Sequence, residues 1–151
     1  MTTGLGGPQK GGFPVPQFSE RQLEWNKVIT DVLTRGTFGA LDASGNVVQA
    51  DNTMTGTFCI IKRDRGNGDP KVPIAMPYEI GFVEVDAAKT ITPGKPVVVS
   101  GAGKGADRVA EASNKIAAWG IGTWDQLDGK VVQAVVTAGN LALVYIEGWK
   151  I

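Results

Sequence analysis

Near its start the chain carries one stretch with apolar residues at helical spacing. Trp25, Val28, Ile29, Val32 and Leu33 fall on a single stripe. Ser19 and Gln22 have capping-box spacing, and Phe18 and Leu23 occupy the two positions of a hydrophobic staple. Asp31 and Arg35 stand four apart, and Gly36 is placed as the C-terminal cap. This pattern predicts a helix over residues 19–36, one face of which needs a cover.

From Thr37 onward the pattern is that of strands. Short apolar runs bounded by Gly, Asn, Asp and Pro predict strands at 37–41, 47–50, 54–62, 72–76 and 78–85. A turn at 43–46 makes the first two a hairpin. Pro73 and Pro77 place the fourth at a sheet edge, because proline lacks a ladder donor. The last third predicts five more strands, at 96–100, 108–112, 116–124, 130–138 and 141–147. Gly139-Asn140 reads as the turn of a hairpin joining the last two. Residues 141–146 are apolar on both faces, which suits a strand covered on both sides, in a closed fold or at a subunit interface. The expected fold is mainly β: a small antiparallel β-barrel or sandwich over 37–151, with one N-terminal α-helix and an extended N-terminal arm over 1–18.

The arm has its own chemistry. Glycines and prolines dominate it, and Lys10 is its one charged side chain. Phe13, Pro14, Val15, Pro16 and Phe18 combine an extended, polyproline-like backbone with three sizeable apolar side chains. Such a segment suits docking against a surface. With Trp25, these residues are the candidate contacts to a subunit or a larger assembly.

Composition narrows the function classes. Glycine accounts for 21 of 151 residues, about twice its usual share, which favours short strands and tight turns. With no histidine, the chain lacks the residue on which Ser-His-Asp and Cys-His catalysis and histidine metal sites depend. Fifteen basic residues balance fifteen acidic ones, so no global charge attracts nucleic acid or anionic lipid. No apolar run approaches the roughly 18 residues of a membrane span. The one cysteine, Cys59, sits in Phe58-Cys59-Ile60-Ile61 and reads as a small buried hydrophobe.

Three motifs invite chemistry. Residues 101–106, Gly-Ala-Gly-Lys-Gly-Ala, follow an apolar strand and formally fit a dinucleotide fingerprint, but that reading requires a crossover helix and a parallel strand. The acidic loop 64–69 lacks calcium-loop spacing. Trp25, Trp119, Trp124 and Trp149 could build a stacking platform, although core packing or subunit contact explains them more economically. No residue is assigned a catalytic, cofactor-binding or metal-binding role.

The C-terminal two-fifths has a further property. Ile91-Thr92-Pro93-Gly94-Lys95-Pro96-Val97, then Arg108-Val109-Ala110-Glu111-Ala112, Ala118-Trp119-Gly120-Ile121-Gly122, and the runs 131–136 and 141–146 occur in an order similar to the small β-barrel of tailed-phage head decoration (cement) proteins. The resemblance covers roughly residues 80–147. It implies a structural virion protein on the capsid exterior, with the major capsid protein as partner and an N-terminal arm reaching neighbouring subunits. It also implies a homo-oligomer, trimer before dimer, and no nucleic-acid, membrane or cofactor partner. The helix over 19–36 is an addition to the family's minimal pattern. The alternatives are another phage module, from a tail or fibre, and a carbohydrate-binding β-module that uses the tryptophans.

Overall fold

The computed structural model describes residues 23–25, 32–54, 57–64, 72–109 and 115–148. In chain order the strands are β1 (Leu23–Trp25), β2 (Phe38–Leu41), β3 (Val47–Gln49), β4 (Phe58–Ile61), β5 (Val72–Ala75), β6 (Ile80–Glu84) and β7 (Thr90–Ile91). They continue with β8 (Pro96–Val99), β9 (Gly105–Asp107), β10 (Ala118–Asp125), β11 (Lys130–Val132), β12 (Val136–Thr137) and β13 (Leu141–Ile146). The fold is mainly β and antiparallel, and the described residues contain no α-helix.

The first sheet has the order β1-β5-β4-β2-β3. The predicted hairpin is present as β2 and β3, joined by a turn in which the Asp42 carboxylate accepts from the Ser44 and Asn46 amides at 2.9 and 2.8 Å. Both faces of this sheet are covered. Phe38, Ala40, Phe58, Ile60 and Ala75 face the second sheet, whereas Val47, Cys59, Ile61, Val72 and Ile74 gather with Leu33 on the other side.

The second sheet has the order β6-β13-β10-β8-β9, with β11 added to β10. It curls into a half-barrel until its two edges meet, where Val85 just after β6 forms a parallel bridge with Gly105 of β9. The Asp86 amide donates to the Gly105 carbonyl at 2.9 Å beside that bridge. Ser100 donates its hydroxyl to the Asp86 carboxylate, and Lys104 pairs with Glu84 at 2.7 Å. The Glu84 carboxylate holds the Lys104 ammonium above its ordinary pKa. Asp107 fastens the β7 segment to β9 by accepting from the Thr92 amide at 2.8 Å and from the Thr90 and Thr92 hydroxyls.

A bulge makes the curl possible. The β10–β13 register shifts between Gly120 and Gly122, where Gly122 has φ of 145°. A Cβ on Gly122 would overlap the Val132 carbonyl, and one on Gly120 would overlap the Thr92 carbonyl. Two other backbone segments thus lie against β10 at these two buried positions, an approach only glycine permits. The inward side chains of the curl, among them Val83, Val85, Val97, Ala118, Val144 and Ile146, join Phe38, Phe58 and Ile60 of the first sheet in one core.

Several expectations are corrected. The described part of the expected helix is not helical: Leu23–Trp25 is a strand paired with β5, and residues 32–36 lead into β2 without a helical turn. Sheet pairing with β5 outweighs the local helical pattern there, as tertiary context commonly does. Because β1 occupies the edge, β5 lies inside the sheet despite Pro73. Proline is tolerated because the Pro73 carbonyl faces Lys62, one residue past the end of β4, so the missing donor falls where that ladder stops. Of the strand expected at 108–112, Arg108 and Val109 follow β9 and are not in a strand, and 110–112 lie outside the described residues. The single strand expected at 130–138 is two, β11 and β12, with 133–135 between them. Gly139-Asn140 does form a tight turn, but β12 pairs with β7 while β13 pairs with β6 and β10, so no hairpin ladder follows it.

Candidate interaction surface

The glycine-rich loop after β8 has the wrong geometry for a dinucleotide. β8 and β9 are antiparallel neighbours with Val99 opposite Gly105, so the loop closes a hairpin rather than opening a crossover helix. Gly103 lies against Gln49 and the Phe38 carbonyl, a packing contact between the two sheets. Cys59 is fully buried, and burial pushes its thiol up to about 12, so it is inert as a nucleophile. Asp64, the first acid of the 64–69 loop, accepts from the Arg35 amide at 2.8 Å. Asp125 accepts from the Leu127 amide at 2.9 Å as a turn residue. Among the described residues no three acidic or cysteine side chains gather as a metal site.

The outer face of the half-barrel stands apart. Tyr145 on β13 lies opposite Ile80 on β6 and opposite Trp119 on β10, and Trp119 in turn lies opposite Pro96 on β8. Residues directly opposite share a face, so Ile80, Tyr145, Trp119 and Pro96 form one apolar row across four strands. Their alternation partners Gly81, Val144, Ala118 and Val97 point inward and are buried. Tyr145 is 39% exposed and Trp119 is partly so. The Trp119 indole N–H donates to Glu147 at 2.8 Å, which fixes the ring against the row.

Tyr78 extends this surface. It sits 70% exposed in the turn between β5 and β6, with its ring centroid 6.5 Å from that of Tyr145. The Glu79 amide donates to the Met76 carbonyl at 3.1 Å, closing a β-turn with Pro77 and Tyr78 at its centre. Tyr78 has φ of 69°, in the place of a type II turn that normally takes glycine. Its hydroxyl lies against Gly148, where no Cβ would fit. A bulky side chain at positive φ is a strained exception, costing of order 1–3 kcal/mol, and such strain clusters at functional surfaces.

Of the residues singled out from sequence, Phe13, Pro14, Val15, Pro16 and Phe18 lie outside the described residues. Trp25 ends β1, opposite Val72 of β5. Trp119 is in the row, whereas Trp124 pairs with Val131 near the far end of β10 and Trp149 is not described. Sequence reading passed over Tyr78 and Tyr145. The only sign of Tyr145 was a strand apolar on both faces, and of Tyr78 its place after Pro77.

No protein-family model matches this chain, and no curated protein matches it. What the coordinates establish is the class: a mainly β protein of antiparallel sheets, one curled into a half-barrel with an aromatic row outside.

Proposed function

We propose that this is a structural virion protein that binds the outer surface of a phage capsid and stabilises it, with the major capsid protein as partner. What supports the reading is the coherence of the segments that resemble the decoration family. Of the five segments, 91–97, 118–122, 131–136 and 141–146 fall on β7–β8, β10, β11–β12 and β13, all in or against the curled sheet, while of 108–112 only Arg108 and Val109 are described, just past β9. A decoration protein needs a rigid β-body, an apolar contact face and many weak contacts that add across a lattice. The arm residues Phe13, Pro14, Val15, Pro16 and Phe18, and Trp25, would add grip, and a homotrimer would repeat each contact.

Co-sedimentation with expanded, undecorated heads tests this. Binding that saturates at a fixed ratio to capsid subunits, and a raised melting temperature of the shell, are expected. Failure to sediment with heads, or sedimentation with purified tails instead, would overturn it. A second reading, a carbohydrate-binding module, draws on the exposed Trp119–Tyr145–Tyr78 cluster. It requires tryptophan fluorescence to shift on adding glycans.

A further inference from the structure

The aromatic row is an exposed apolar face, and the way the chain enters the first sheet indicates what covers it. β1 runs antiparallel to β5 with Leu23 opposite Ile74 and Trp25 opposite Val72. The start of β1 therefore lies at the end of the sheet where β5 leaves for Met76, Pro77 and Tyr78. Tyr78 lies four residues beyond Ile74, and Phe18 lies five before Leu23. Five extended steps of about 3.3 Å give a reach of about 17 Å, enough to bring Phe18 to the Tyr78 turn.

The dimensions beyond that point agree. From β6 through β13 and β10 to β8 the row spans three inter-strand spacings of about 4.8 Å, or about 14 Å. The five steps from Phe18 back to Phe13 at about 3.1 Å each cover about 15 Å in a polyproline conformation. The chemistry agrees too. Tyrosine and tryptophan faces with one polar end are what proline-rich extended segments dock on, because the preformed backbone loses little entropy.

We propose that residues 13–18 of this chain fold back onto the row formed by Tyr78, Ile80, Tyr145, Trp119 and Pro96 of the same chain. Phe18 packs beside Tyr78, Pro16 and Pro14 cross Tyr145 and Trp119, and Phe13 ends near Pro96. The free protein thereby covers this aromatic face. This concerns the isolated molecule and stands or falls independently of capsid binding.

The chain's two tyrosines are both in the row, so full-length protein grown with 3-fluorotyrosine gives two fluorine resonances that report on this surface alone. A nitroxide placed through Val15→Cys marks the middle of the arm, where the docked geometry brings it near both tyrosines, and buried Cys59 does not compete for the label. In dilute, singly labelled protein both resonances should lose most of their intensity and recover it when the nitroxide is reduced. The loss should disappear when Phe13→Ser and Phe18→Ser are added. Two results overturn the proposal. One is intensity unaffected by the nitroxide. The other is a loss arising in a mixture of spin-labelled protein and separate fluorinated protein, which would assign the face to the arm of a second copy.

Discussion

Tyr78 shows how a single residue can be held against its own preference. The left-handed backbone costs an L-residue roughly 1–2 kcal/mol, and its 70% exposure means little burial offsets that cost. Tyr78→Gly removes the strain but frees the unfolded chain, which costs about 0.4–1 kcal/mol. In protein that also carries Phe13→Ser and Phe18→Ser, so that the arm adds no contact to this ring, the difference leaves the variant more stable by up to about 1.6 kcal/mol, seen as a higher urea midpoint at unchanged slope. Tyr78→Ala keeps the strained φ and should show no such gain. A ring retained at a position where glycine would be more stable fits a role in contact rather than in folding. Cys59 is the opposite case: a thiol wholly absorbed by packing against its neighbours on β4 and β5.

At the scale of elements, the curl of the second sheet depends on β10. Gly120 accepts from the Gly94 amide at 2.8 Å and donates its own amide to the Lys95 carbonyl at 2.9 Å, so the turn after β7 lies directly against the strand. Gly120→Ala would drive a Cβ into the Thr92 carbonyl, backbone that cannot rotate aside. The expected loss is about 1–3 kcal/mol, the range for forced overpacking, with the midpoint of urea unfolding falling accordingly. Gly101→Ala, where a Cβ meets nothing within 4 Å, is the neutral control. The hairpin of β2 and β3 was legible before the structure, because its turn chemistry is local. β7 and β1 were not, because strands of two and three residues carry too little pattern to stand out.

At the scale of the molecule, the two sheets share one core. Phe38 and Phe58, edge to face with centroids 6.4 Å apart, lie in the same cluster as Val83, Val85, Val144 and Ile146 of the half-barrel. The Glu84 amide also donates to the Gly36 carbonyl at 2.8 Å, a backbone tie between the sheets. Phe58→Ala should cost about 3–5 kcal/mol, a large share of the 5–15 kcal/mol typical of a domain. Since Phe58 belongs to the first sheet, the test is whether the second loosens with it. Thermal unfolding should stay a single transition, with Tyr145 and first-sheet probes moving together. Two separated transitions would mean that the shared core does not couple them.

The sequence alone determined the class of the fold and the places of most strands, since glycine content, short apolar runs and turn residues act over a few positions. It also marked Cys59 as buried. Tertiary structure decided the rest. The strand at Leu23–Trp25 exists through pairing with β5, against the local helical spacing. The aromatic row exists only because β6, β13, β10 and β8 are brought side by side, joining residues 80, 96, 119 and 145. Local propensity is written in neighbouring residues, whereas a surface is made by strands far apart in the chain, and only their register puts its members on one face.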